Sequence, residues 1–145
     1  MLEIIGSQGQ ITIDVTQVEE EIPHGHGVFR YMEWSVTVHA YGLSGKVDGI
    51  GILPTHYEKF LLEFTNLERD RRGTASLISM SPEELQLTFR NLDTLGHMMV
   101  EGQLGRYTYV SDWMRVQKLN FAFEIDPTTL PGILRRFLAL KTWES

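Results

Sequence analysis

The chain has 145 residues, no cysteine and a formal net charge of −6, with 42% hydrophobic and 22% charged residues. This composition is typical of a soluble globular protein, and the length suits a single domain over residues 1–145. The lack of cysteine excludes disulfides and thiolate metal sites, and the acidic charge disfavours nucleic acid as a partner. No apolar run approaches the roughly 20 residues that cross a bilayer, and the first residues lack the pattern of a signal peptide. We therefore expect a cytoplasmic protein without a membrane partner.

The first half of the chain predicts strands followed by a helix. Alternating apolar residues predict strands at residues 2–5, 10–15, 28–41 and 47–52, and the acidic residues 17–21 are expected to be exposed. Pro54 ends the last of these strands, and Thr55 with Glu58 three residues later predicts a capping box. The helix is expected to run to about Asp70 and to stop at Gly73.

The second half repeats this order. Strands are predicted at residues 74–79, 85–90, 97–104 and 119–125, while residues 105–113 form either another strand or an ordered loop. Asp126 or Thr128 can cap the second helix, Pro127 suits its first position, and Pro131 moves its start later.

Residues 53–67 and 126–140 share a Pro-Thr pair followed by five large apolar residues at the same spacing. The matched pairs are Tyr57 and Leu130, Phe60 and Ile133, Leu61 and Leu134, Phe64 and Phe137, and Leu67 and Leu140. This spacing gives one apolar stripe on each helix, and we also expect Leu138 to lie in the core. Either an internal duplication or the common residue preferences of strand-to-helix junctions explain the match.

These patterns predict an α+β fold. Antiparallel β-sheets, sandwich-like or strongly curved, would pack against two amphipathic helices through their apolar stripes. The strand order within the sheets cannot be derived from the sequence.

Two histidines, His24 and His26, lie among glycines in an expected loop. Together with His39, His56 or a nearby acidic residue they could share a metal, but no third ligand has a diagnostic spacing. A metalloprotein therefore stays an alternative, and solvated loop histidines are the simpler interpretation.

Catalysis is not expected. His97 and Asp93 could be combined with Ser79 or Ser81 into a catalytic triad, but no Gly-x-Ser-x-Gly pattern surrounds a serine and no phosphate-binding loop is present. We predict no enzyme activity and no cofactor.

The aromatic residues Tyr107, Tyr109 and Trp113, with Tyr31 as a further candidate, are the favoured partner-binding residues. Tyrosine and tryptophan are common anchors of protein interfaces, although they could also stack on a sugar or cover the edge of the core. The acidic residues Glu19, Glu20 and Glu21 complete the predicted partner-binding set, because an acidic surface would attract a basic partner.

Several segments resemble a known family. In the first half, they are Trp34-Ser-Val-Thr-Val38, a glycine-rich return strand and a helix with Phe60-Leu61. In the second half, they are Pro82-Glu-Glu-Leu-Gln-Leu-Thr-Phe89, the return strand Gly-His-Met-Met-Val100, the strand Phe121-Ala-Phe-Glu-Ile-Asp126 and a leucine-rich helix. This order is similar to the small WapI-type immunity proteins and related uncharacterised bacterial domains. The resemblance covers most of residues 28–140 as a pattern of apolar positions. It implies a cytoplasmic binding protein that neutralises a toxin domain of a polymorphic system, and it transfers no catalytic residue.

We therefore expect a non-enzymatic protein-binding module, an immunity protein that binds a toxin domain with a basic surface. A carbohydrate- or small-ligand-binding β domain and a histidine-dependent metalloprotein are the alternatives. A homodimer is compatible with the sequence.

Overall fold

The computed structural model describes residues 1–21 and 29–140. Its elements follow one another as β1 (Leu2–Ile5), β2 (Gly9–Glu21), β3 (Phe29–Ala40), β4 (Leu43–Ile52), α1 (Pro54–Asp70), β5 (Thr74–Ile78), β6 (Leu85–Asn91), β7 (Met98–Val110), β8 (Trp113–Ile125), a short 3-10 turn (Pro127–Thr129) and α2 (Leu130–Ala139).

The strands form two four-stranded antiparallel sheets, with the orders β1-β2-β3-β4 and β5-β6-β7-β8. Together with the two helices, they confirm the α+β fold with antiparallel sheets. Four strands are several residues longer than the sequence predicts, and two of them, β4 and β8, begin earlier, at Leu43 and Trp113. β2 continues through the acidic residues to Glu21, and residues 105–110 continue β7 instead of forming a separate strand or loop.

The start of α1 does not use the predicted capping box. Leu53 is the N-cap residue, its side chain makes no capping hydrogen bond, and Pro54 supplies the preset backbone angle of a first helical residue. The helix ends at Asp70, as the sequence predicts. The residue that caps this end is Arg71 and not the predicted Gly73; Arg71 adopts a left-handed conformation with φ of 57° and donates its N–H to Leu67 O at 2.8 Å.

The second helix begins through two short steps. The Asp126 carboxylate accepts the Thr128 N–H at 2.9 Å and caps the 3-10 turn, and α2 then starts at Leu130 with Pro131 in its first turn. The prediction that Leu138 lies in the core is wrong, because its side chain is 49% exposed. Leu138 follows the buried Phe137, and a rotation of about 100° per residue turns it away from the buried stripe.

Aromatic rings from both helices and from β6 occupy the centre of the core. The ring centres of Phe60 and Phe137 are 5.0 Å apart, and those of Phe64 and Phe89 are 4.8 Å apart, both in edge-to-face geometry. The buried Tyr57 hydroxyl donates a hydrogen bond to Phe137 O and so joins α1 to α2. The buried residues of both sheets and both helices form one hydrophobic cluster.

A shift of 73 positions relates backbone contacts at the strand-to-helix junctions of the two halves. Ser7 N donates to Glu124 O at 3.3 Å, and Met80 N donates to Gly51 O at 2.9 Å. Adding 73 to the number of the donor Ser7 gives the donor Met80, and adding 73 to the number of the acceptor Gly51 gives the acceptor Glu124. A glycine at position 6 permits the first contact, because a Cβ there would lie 2.2 Å from Glu124 O.

The helices follow the same symmetry, because each one covers the edge strand of the other half. The Glu63 carboxylate on α1 accepts the Ser76 N–H of β5 at 3.0 Å. At the equivalent positions, the Arg136 guanidinium on α2 donates to Glu3 O of β1 at 3.4 Å. Two ββββα units therefore interlock by exchanging their helices, which supports internal duplication over chance similarity of the helix junctions.

Neither helix within the described ranges combines the length and apolar character needed to span a membrane.

Candidate functional site

The hairpin of β7 and β8 extends beyond the rest of its sheet. β6 starts at Leu85, which lies opposite Leu104 on β7. The last backbone hydrogen bond on this side of β7 is donated by Gly105 N–H to Glu84 O, at 2.9 Å. Beyond this bond, β7 pairs only with β8. Residues 105–118 therefore form a two-stranded extension, which we name the arm.

One face of the arm is apolar. Tyr107 lies opposite Val116, and Tyr109 lies opposite Met114. Directly opposed residues of an antiparallel pair share a face, so these four side chains form one surface. The exposed fractions are 41% for Tyr107, 76% for Tyr109 and 55% for Met114. The arm thus presents large apolar side chains to solvent instead of burying them in the core.

The opposite face combines an aromatic ring with basic groups. Trp113 is 67% exposed and lies opposite Val110 at the tip. The Arg115 guanidinium carbon lies 5.7 Å from the centre of the Trp113 ring, a cation–π arrangement. Arg115 lies opposite Thr108, whose hydroxyl donates to Arg115 O at 3.4 Å, and Arg106 is on the same face. This stacking restrains an otherwise exposed indole.

The arm has the opposite charge to the chain as a whole. Residues 105–118 contain three basic side chains, Arg106, Arg115 and Lys118, and one acidic side chain, Asp112, which gives a net charge of +2. Lys118 forms an ion pair with Glu83, and its hydrogen bond lowers the pKa of that carboxyl. Arg106 and Arg115 make no ion pair within the described residues, so their charges are available to a partner.

The remaining predicted residues lie elsewhere. Tyr31 is half-buried and lies opposite Glu19, at the end of β3 remote from the β3–β4 turn. The base of the arm reaches the first sheet where Leu119 approaches Gly45, which pairs with Val38. Seven residues of extended strand separate Val38 from Tyr31, about 23 Å. The structure therefore divides the predicted aromatic set between two places.

The acidic residues accompany Tyr31, not the arm. Glu19, Glu20 and Glu21 extend β2 beyond the part paired with β1 and lie opposite Tyr31, Arg30 and Phe29. Residues 1–70 contain eleven acidic and four basic residues, a net charge of −7, whereas residues 71–145 contain eight acidic and nine basic residues, a net charge of +1. The negative charge is thus concentrated in the first half of the chain.

The predicted metal ligands His24 and His26 lie outside the described residues. Of the other histidines, His39 is exposed on β3, and His56 Nδ1 lies 3.1 Å from Ile78 O. No group of three or more potential ligands occurs among residues 1–21 and 29–140. The metalloprotein alternative stays a prediction.

The histidine and serine considered for a catalytic triad have separate structural contacts. Asp93 Oδ2 lies 2.6 Å from His97 Nδ1, and this hydrogen bond raises the pKa of His97 and lowers that of Asp93. Ser79 is fully buried, and its hydroxyl donates to Ser81 O at 2.6 Å and accepts Leu85 N–H at 3.0 Å. These bonds place Ser79 in the β5–β6 turn, where it has a structural role.

The residue types in the sequence indicate Tyr107, Tyr109 and Trp113 as interface candidates but do not indicate Met114 and Arg115. The alternation of residues on both sides of Ser111 and Asp112 is a hairpin pattern that could have revealed them. Ser111 adopts a left-handed conformation with φ of 58° at the turn, which favours glycine or asparagine and so weakens that pattern in the sequence.

No family model, curated protein or solved structure matches the chain. The resemblance to WapI-type immunity proteins therefore stays a prediction.

Proposed function

We propose that this chain is a non-enzymatic protein-binding module that binds and neutralises a toxin domain, as the resemblance to immunity proteins implies. The arm carries the proposal. Exposed aromatic side chains on a protruding hairpin resemble the anchors that supply most of the energy of protein interfaces. Patches of this kind on a soluble protein commonly mark an interaction site.

The arm is suited to a protein partner because its two faces combine contacts of different kinds. Tyr107, Tyr109 and Met114 offer apolar area, and Trp113 with Arg115 offers a restrained aromatic ring beside a positive charge. Tyrosine and tryptophan have few rotatable bonds, so they lose little conformational entropy on binding. The arm can therefore dock without reorganising the core.

The charge distribution supports a partner with a basic surface. The net charge of −7 on residues 1–70 would attract such a protein and accelerate its encounter with the chain. The arm would then supply short-range contacts. We expect the association rate to fall as salt rises, because salt screens the long-range attraction.

The test combines capture with toxin neutralisation. Proteins captured from the host lysate by the wild-type chain would be identified, and each would be expressed alone and together with the chain in a growth assay. We expect one captured protein to be toxic alone and harmless beside the wild-type chain. Binding of a glycan without any protein partner would contradict the proposal.

Variants of the arm distinguish specific partner binding from non-specific binding to exposed apolar residues. Tyr109→Ala and Trp113→Ala should each weaken partner binding about 10- to 100-fold, as is usual for interface anchors. Leu62→Ala is the matched control, because Leu62 is 64% exposed on α1 and lies outside the arm. Unchanged affinity in both arm variants, with the fold retained, would refute the role of the arm.

A further inference from the structure

Each helix covers one edge strand, α1 covering β5 and α2 covering β1, whereas within the described residues β7 has no such cover along the arm. Glu63 of α1 accepts the N–H of Ser76 on β5, and Arg136 of α2 donates to the carbonyl of Glu3 on β1. Such cover prevents an exposed edge from pairing with another chain. No described element covers β7 beyond Gly105 on the side that β6 leaves open.

The strand register identifies which backbone groups face this open edge. Gly105 directs its N–H towards β6, where it meets Glu84 O. Backbone direction alternates along a strand, so Tyr107 and Tyr109 direct their N–H and C=O groups to the same side, and Arg106 and Thr108 direct theirs to β8. The open edge therefore offers two donors and two acceptors beside the exposed tyrosine rings.

The charges beside this edge select the chemistry of an added strand. Arg106 and Arg115 occupy one face of the arm, and the whole arm has a net charge of +2 in a chain of −6. Glu83 and Glu84 border the base of this edge, where Glu83 is paired with Lys118. The attraction for an acidic segment therefore comes from Arg106 on β7 and from Arg115 on the neighbouring β8. The other face would take apolar side chains against Tyr107 and Tyr109.

We propose that the open edge of β7, at Tyr107 and Tyr109, binds an extended acidic segment of the partner protein by strand addition. The segment alternates acidic side chains towards Arg106 and Arg115 with apolar side chains towards the tyrosines. The proposal rests on the proposed function for the claim that a partner protein supplies the segment. The backbone pairing itself is independent of that claim.

The test uses peptides of defined sequence and the full chain. An eight-residue peptide of alternating Glu and Val, and a matched peptide of alternating Lys and Val, are titrated into the isotope-labelled protein. We expect the Glu–Val peptide to shift the amide NMR signals of Tyr107 and Tyr109 at millimolar concentrations or below, and the Lys–Val peptide to leave them unchanged. Equal shifts with both peptides, or none with either, would overturn the proposal.

A proline variant separates backbone pairing from side-chain contact. Tyr109→Pro and Tyr109→Ala both remove the ring, but only proline removes the N–H that faces the open edge. We expect Tyr109→Pro to bind the Glu–Val peptide about threefold to tenfold more weakly than Tyr109→Ala, the effect of one lost hydrogen bond. Equal affinities in two folded variants would refute strand addition. The growth assay reports on toxin neutralisation separately, so failure of either proposal can be recognised.

Discussion

Replacing Tyr57 with phenylalanine tests how strongly the two halves are joined. The change removes only the buried hydroxyl that donates to Phe137 O, and it leaves the ring contacts with Trp34 and Phe60 in place. Phe137 O also accepts Leu140 N–H at 3.1 Å, so the carbonyl keeps one partner in the variant. The expected loss is therefore that of a typical net hydrogen bond, about 0.5–1.5 kcal/mol, and not the larger penalty of an orphaned buried carbonyl.

Urea unfolding followed by circular dichroism measures this loss, and Tyr109→Phe is the control because its side chain is 76% exposed. For a chain of this size the loss corresponds to a fall in melting temperature of roughly 1–6 °C. The slope of the free energy of unfolding against urea should stay unchanged, because the hydroxyl adds little to the buried area. A loss no larger than that of Tyr109→Phe would refute the reasoning. A loss above about 3 kcal/mol would show that the Leu140 bond does not compensate.

Three further predictions follow from the covered edge, the core and the exposed histidine. Glu63→Ala leaves the Ser76 N–H on β5 without its acceptor and should lower the free energy of unfolding by about 1–2 kcal/mol in urea, whereas Glu63→Gln, which keeps an acceptor oxygen, should cost less than the alanine change. Phe64→Ala removes a fully buried ring and should cost about 3–5 kcal/mol in the same assay; a cost below about 2 kcal/mol would contradict its place in the core. The hydrogen bond and charge of Asp93 raise the pKa of His97 above its ordinary value of 6.5, so their contact stabilises the fold below about pH 6.5 and loses this contribution as pH rises through the raised pKa. The melting-temperature advantage of the wild type over His97→Gln should shrink as the pH rises above about 6.5, and a constant difference would contradict this assignment.

The sequence predicted the strands and helices that carry a clear apolar period. Trp34, Val36 and Val38 alternate with polar residues and are fully buried in β3, as expected. The helix ends were harder to predict. The Thr55 and Glu58 pattern suits a capping box, but the side chain of the actual N-cap residue, Leu53, makes no capping bond. Local pattern alone cannot show which backbone groups the tertiary structure already satisfies.

The site was only partly predictable for a related reason. Tyr107, Tyr109 and Trp113 are of the residue types that interfaces prefer, so composition indicated them. The open backbone edge beside Tyr107 and Tyr109 depends on where β6 begins, since a β6 that began earlier would pair with this part of β7. No sequence pattern shows how far β6 pairs with β7, so the sequence alone does not distinguish an interface from the edge of the core. The distance between Tyr31 and the arm likewise depends on the pairing register of β3 with β2 and β4, which the sequence does not show.

The two halves differ most at their hairpins, which supports a functional origin for the arm. In the first half, Gly9 of β2 lies opposite Ala40, so β2 accompanies β3 up to the β3–β4 turn. In the second half, β6 starts opposite Leu104, and β7 continues to Val110 without it. The interlocking contacts between the helices and the opposite sheets are present in both halves, so the fold does not require the extension. An exposed edge with apolar side chains also carries a risk of aggregation. The hairpin adds this risk without contributing to the shared core, which is why we propose that a partner protein covers it.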